Sequence, residues 1–133
     1  MGTHKEVGSG TMSNSLLIIA HGSPRKEANE EFISLVSRVR NQTPDCLVQH
    51  AFLDCTQPDI PHAIDALEKN GAKEIAILPF FLVHGQHTAQ DIPRIVADKK
   101  RAYPHLTFHI LEPVGAWPEI IDMILKSIHS QKS

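Results

Sequence analysis

Five side chains of this sequence could bind a metal ion or accept a proton: His21, Asp54, His84, His87 and Glu112. Neutral imidazoles joined by carboxylates make a ligand set for divalent transition metals. The same groups exchange protons near neutral pH, where imidazole titrates. His84 and His87 stand three apart in residues 79–93, Pro-Phe-Phe-Leu-Val-His-Gly-Gln-His-Thr-Ala-Gln-Asp-Ile-Pro. That spacing is common for zinc, but without Cys-x-x-Cys or a His-Glu-x-x-His helix it is not specific. His87, at the entrance of the next predicted helix, is the better placed ligand; His84 can equally be a structural or solvated imidazole. Asp54 and Glu112 have ordinary readings as turn carboxylates. Arg25 and Lys26, just past His21, suit a polyanionic ligand if a helix N-terminus points there, or else form a solvated first turn.

The elements that must position these residues follow from hydrophobic patterning. Residues 16–20 are apolar at every position, as in a strand buried on both faces of a parallel sheet. Ser23 and Pro24 predict a helix N-cap and first residue. Ala28, Phe32, Leu35, Val36 and Val39 would form its apolar stripe. Residues 46–53 predict a second strand, and Pro58, Asp59 and Pro61 a second helix start, with Ile60, Ile64 and Leu67 inward and Asn70-Gly71 as its stop. The third strand is expected over residues 74–83, with Pro79 at a bulge or an edge-facing position. Asp91 is expected to cap a third helix carrying Pro93 in its first turn and ending near Ala102. Residues 106–111 predict a fourth strand. Pro118 opens a last helix with Ile120, Ile121, Ile124 and Ile128 inward. The order βαβαβαβα argues a four-stranded parallel sheet with helices on both faces and right-handed crossovers.

Such sheets bind ligands outside the carboxyl ends of their strands. The residues just past the four strands are His21, Asp54, the His84–His87 pair and Glu112, so periodicity alone brings three imidazoles and two carboxylates to one rim. The composition is compatible with that chemistry and excludes others. Net charge is −2 over 133 residues with 41% hydrophobic and 21% charged positions, which gives no global bias toward nucleic acid or anionic membrane. No apolar run approaches a membrane span or a signal-peptide core, and a cytoplasmic location is expected. Cys46 and Cys55 fall at opposite ends of one predicted strand and do not form a disulfide framework. Of nine histidines, His62, His105 and His129 fall where a solvated imidazole is the default. Residues 1–14 lack apolar periodicity and read as a flexible leader or an expression scar, with residues 15–133 as one domain.

Residues 16–23 (Leu-Leu-Ile-Ile-Ala-His-Gly-Ser), the Ala-Phe-Leu-Asp segment at 51–54 followed by Gln57-Pro58, and the 79–93 stretch together resemble the short sirohydrochlorin cobaltochelatases, single-domain members of the class II chelatases. The resemblance runs over residues 16–128, and Gly-x-His-x-x-x-Asp-Ile-Pro is its specific element. It implies a class II chelatase-like half-fold that inserts Co2+, Fe2+ or Ni2+ into sirohydrochlorin for cobalamin or sirohaem synthesis. His21 and His87 would hold the metal, and Asp54 would assist where the family usually has glutamate. Arg25, Lys26 and His84 would meet the macrocycle. No organic cofactor is implied, and a homodimer is expected because larger relatives carry two such domains. A non-catalytic metal or tetrapyrrole carrier using the same histidines is the alternative. A phosphoryl-transfer role for His21 is disfavoured, because the arginine that phosphohistidine phosphatases place before that histidine is here Ala20.

Overall fold

The four predicted strand segments form one sheet: β1 (Ser15–Ala20), β2 (Leu47–Phe52), β3 (Glu74–Pro79) and β4 (Thr107–Ile110). All pairings are parallel, in the order β2-β1-β3-β4. The computed structural model describes residues 14–83, Gly85 and residues 88–130. Four helices connect or follow the strands: α1 (Lys26–Gln42), α2 (Ile60–Lys69), α3 (Thr88–Ala102) and α4 (Pro118–Ser130). A 3-10 turn, Val114–Ala116, lies between β4 and α4. No helix among the described residues is long and apolar enough to cross a membrane.

Side chains alternate between the two sheet faces, as strand geometry demands. On one face Leu17, Ile19, Ala51, Ile75 and Ile77 pack with Ile60, Ile64 and Leu67 of α2 and Ile92 and Val96 of α3. On the other, Ile18, Val48 and Phe52 pack with Phe32 and Val36 of α1. Each fully buried Leu, Ile or Phe contributes roughly 1.5–3 kcal/mol, so this double-sided burial dominates stability. Helix α2 matches its sequence signals closely. Asp59 is its N-cap and accepts from the His62 N–H, Pro61 occupies its first turn, and Gly71 follows with φ +97°. Asn14, assigned to the leader from composition, belongs to the fold: its Oδ1 accepts from the N–H groups of Lys73 and Glu74 at 3.0 and 3.1 Å.

Four expectations are corrected. Helix α1 starts at Lys26 with Arg25 as N-cap, so Ser23 and Pro24 stay in the loop and Ala28 is exposed. The physical reason is Asn29, whose side chain bonds both the N–H (3.0 Å) and the carbonyl (2.8 Å) of Ser23 and holds that residue outside the helix. Strand β3 ends at Pro79 rather than residue 83, with no bulge. Its ladder to β4 has already ended at Ile77–Ile110, so the missing proline N–H leaves no partner stranded. Helix α3 starts at Thr88, which makes Asp91 a first-turn residue paired with Arg94 (2.7 Å) and puts Pro93 inside the helix. There it costs one intrahelical bond. Finally, Ile121, Ile124 and Ile128 of α4 are 58%, 56% and 52% exposed, because α4 packs chiefly against the 3-10 turn and not on the sheet.

One polar network joins the helices of the α2–α3 face. The Lys99 ammonium (2.6 Å) and the Tyr103 hydroxyl (2.8 Å) both donate to Asp65 Oδ1. Partial burial pushes the Asp65 carboxyl up, but these two hydrogen bonds and the Lys99 charge outweigh it and hold the group below its ordinary value of 3.8. A depressed carboxylate stabilises the fold above the unfolded-state value, and that contribution is lost as pH falls through the folded one. Asp65 is 42% exposed, so solvent screens the pair. Asp65→Asn should therefore cost about 0.5–1 kcal/mol in urea unfolding at pH 7. The gap from wild type should close as pH falls below 3.8.

Candidate functional site

The strand order reverses at β1. The chain leaves β1 toward β2, then returns to place β3 on the other side of β1. Helix α1, which follows β1, lies on one face, and α3, which follows β3, lies on the other. The loops after β1 and β3 therefore diverge, and a crevice opens between them at the carboxyl edge. His21 stands on one side of it, exposed, with its ring 6.1 Å from that of Phe81 in the opposite loop. The start of that loop is tied to β1 by Phe80 N–H donating to the Ile19 carbonyl at 2.7 Å.

Backbone contacts hold the loops in pairs. Beyond β1 and β2 the ladder continues, with Leu53 N–H on Ala20 O and Asp54 N–H on His21 O at 3.0 and 3.1 Å. This places the two residues side by side through their main chains. Gly22 turns away immediately, with φ +94°, and a Cβ there would lie 2.0 Å from the Asp54 carbonyl oxygen. The Asp54 carboxylate accepts from the Cys55 N–H at 2.8 Å, and Cys55 itself has φ +74°. On the other side of the crevice, Gly115 N–H donates to Phe81 O at 3.0 Å. A Cβ on Gly115 would lie 1.6 Å from the Leu82 oxygen. Glycine is thus required in both loop pairs, and neither role is visible in the residue spacing.

The loop that follows β3 is apolar and exposed, with the Phe80 ring 5.9 Å from that of Phe32 on α1. Phe80, Leu82 and Val83 are 39%, 70% and 78% exposed. Pattern reading placed them in a buried strand, and Pro79 was the signal that the strand stops earlier. Glu112 is exposed at the end of β4, where its carbonyl accepts from the Trp117 indole N–H at 2.9 Å. Arg25 and Lys26 are exposed at the start of α1, with the Lys26 ammonium 3.9 Å from Glu30. A cleft of about 330 Å³ lies there, lined by Ser23, Lys26, Asn29, Cys55 and Thr56 among others. His84 and His87 lie outside the described residues. Among the described residues, no three His, Cys, Asp or Glu side chains gather as a metal site.

The exposed apolar residues Phe80, Leu82 and Val83 thus share one edge of the sheet with the His21 imidazole and the Asp54 carboxylate. The family model CbiX matches residues 15–131. A sirohydrochlorin cobaltochelatase of Methanothermobacter thermautotrophicus is 32% identical over 86% of this chain and 90% of its own length. A chloroplastic sirohydrochlorin ferrochelatase of Arabidopsis thaliana is 29% identical over 84% of this chain. The solved sirohydrochlorin chelatase SirB of Bacillus subtilis subspecies spizizenii, in complex with cobalt, superposes with a TM-score of 0.77 at 25% identity, over 90% of this chain. The chain spans 50% of the Arabidopsis protein and 51% of the SirB chain.

The glycine contacts give a graded expectation. Gly71 also has positive φ, +97°, but a Cβ there meets nothing within 4 Å. Gly71→Ala should therefore cost only the left-handed backbone, about 1–2 kcal/mol. Gly22→Ala should cost clearly more, because a backbone carbonyl cannot swing aside as a flexible side chain does. Thermal unfolding of the two variants side by side measures the difference, and equal losses would show that the Gly22–Asp54 contact contributes nothing.

Proposed function

The chain belongs to the CbiX family, and on that premise we propose that it inserts a divalent metal into sirohydrochlorin. Co2+ and Fe2+ are the candidate substrates, since relatives bear both activities in their names, and Ni2+ is a third that imidazole ligands suit. The observation that carries this reading is the switch-point crevice, where His21 and Asp54 stand locked together opposite an exposed apolar loop. The product would serve cobalamin or sirohaem synthesis in the cytoplasm, and the reaction needs no organic cofactor.

In this reading, neutral His21 and His87 hold the incoming ion at the rim and leave coordination positions open for pyrrole nitrogens. The ring lies against Phe80, Leu82 and Val83. One dication enters as two pyrrole N–H protons leave, so net charge is conserved over the exchange. Asp54 or the imidazoles take those protons. Asp54 is one methylene shorter than the glutamate usual in the family, and one of its carboxylate oxygens already accepts from the Cys55 N–H, which shortens its reach for direct ligation. Arg25 and Lys26, with His84, meet the carboxylate arms of the substrate. The working form is a homodimer, because the chain amounts to half of its larger relatives and a second copy would close the open side of the crevice.

His87→Ala should abolish insertion while leaving the fold intact, followed by the absorption change of metal-free sirohydrochlorin. His84→Ala should show a milder loss, on the order of tenfold, as for groups that support a metal ligand. Persistent conversion by the His87→Ala protein would overturn the ligand assignment. With wild type, turnover beyond one equivalent of product per site distinguishes an enzyme from a carrier.

A further inference from the structure

His21 is followed by a residue that could let it swing. Gly22 has φ +94°, a region open to glycine and closed to most other residues. A glycine beside a working imidazole is a hinge unless the residues on both sides of it are held. Here both are. On the near side, the His21 carbonyl accepts from the Asp54 N–H at 3.1 Å. On the far side, Asn29 grips Ser23 at two points. Its Oδ1 accepts from the Ser23 N–H at 3.0 Å, and its Nδ2 donates to the Ser23 carbonyl at 2.8 Å. The Ser23 hydroxyl in turn accepts from the Arg25 N–H at 3.0 Å and closes the turn into α1.

Asn29 is the fourth residue of α1, a helical position that asparagine does not favour because its amide competes for backbone groups. In this helix the competition is directed outward, to a residue six positions earlier. The helix itself is fixed to the sheet by Phe32 and Val36, buried against Ile18, Val48 and Phe52. A short path therefore runs from the sheet through α1 and Asn29 to Ser23, and across Gly22 to His21. A side-chain amide suits this path, because it presents a donor and an acceptor side by side in one plane. An ionised aspartate accepts but cannot donate, and alanine does neither. His21 and Arg25 are exposed, whereas Ser23 and Asn29 are half-buried, so the grip lies beneath the surface that the rim presents.

We propose that Asn29 is a positioning residue for metal capture, acting through Ser23 and Gly22 to hold the His21 imidazole where an incoming ion meets it. This rests on the reading of His21 as a ligand in the preceding section. Groups that orient a metal ligand without touching the metal typically carry about 10–100-fold of affinity or activity. In a site that depends on geometry, a displacement of about 1 Å is enough for a loss of that order. The rival is a purely structural role, in which the grip sets where α1 begins and does no more. Substitution would then lower stability and leave metal affinity as it was.

Amide hydrogen exchange, with calorimetric titration of Co2+ alone and no tetrapyrrole present, separates the two. In Asn29→Ala the Ser23 amide should lose its protection, while the Phe32 and Val36 amides within α1 keep theirs. Co2+ should bind this variant about tenfold more weakly than wild type, or worse. Asn29→Asp keeps an acceptor for the Ser23 N–H but sets a carboxylate oxygen against the Ser23 carbonyl, so its affinity should fall as well. It carries the test if Asn29→Ala fails to fold. Asp65→Asn, which loses stability on the α2–α3 face away from the rim, should bind Co2+ within about twofold of wild type. A protected Ser23 amide in Asn29→Ala would mean that the grip does not exist. Wild-type Co2+ affinity in both Asn29 variants would make the residue structural only, and an equal loss in Asp65→Asn would make the effect one of stability. Each of these overturns the proposal. A wild type that binds no Co2+ overturns it together with the His21 assignment. A wild type that binds Co2+ but inserts none into sirohydrochlorin defeats the chelatase reading and leaves this one standing.

Discussion

All four strands run parallel, so every connection must cross a face of the sheet and all four carboxyl ends share one edge. The site depends on that constraint. A parallel sheet in the order β2-β1-β3-β4 sends the loops after β1 and β3 to opposite faces, and they part at the edge without any side chain needing to hold them open. What the chain must supply is a means of keeping the loops at fixed separation. It uses main chain for this. The β1–β2 ladder extends to His21 and Asp54, and the loop after β3 leans on Gly115. Backbone-to-backbone contacts are short and stiff, which suits a site whose side chains must remain exposed.

The distribution of polar groups follows the same division. The Asp65–Lys99–Tyr103 network joins α2 to α3 on the far side of the sheet, away from the crevice. His50 is half-buried in the α1 face beside Phe32 and Phe52, its imidazole held below the ordinary value by burial and then by the Arg40 charge. It is an aromatic packing element and not part of the rim chemistry. His21 stands exposed past the carboxyl end of β1, whereas His50 lies within β2.

Much of this was legible in the residues. Continuous apolar runs marked two of the four strands, and Asp59, Pro61 and Gly71 marked α2 at both ends, because capping and backbone restriction act within a few residues. Placing His21, Asp54 and Glu112 at one edge needed only the alternation of strands and helices. The errors came where two signals overlapped. The run over residues 75–83 is apolar throughout, but β3 and the exposed loop after it are built from the same residue types, and only Pro79 separates them. Ser23-Pro24 has the chemistry of a helix start, yet Asn29, six residues away, holds Ser23 in the loop.

The sequence by itself determined the fold class, the number of strands and the residues that reach the carboxyl edge, since these follow from periodicity and local backbone preference. Tertiary structure alone decided which loops touch, and through which atoms. The Gly22–Asp54 and Gly115–Leu82 approaches join residues more than thirty positions apart, and no local pattern records a contact made by a missing Cβ. It also decided the fate of α4. An amphipathic helix states in its sequence that one face must be covered; what lies opposite that face depends on where the 3-10 turn aims it, which is a property of the assembled sheet.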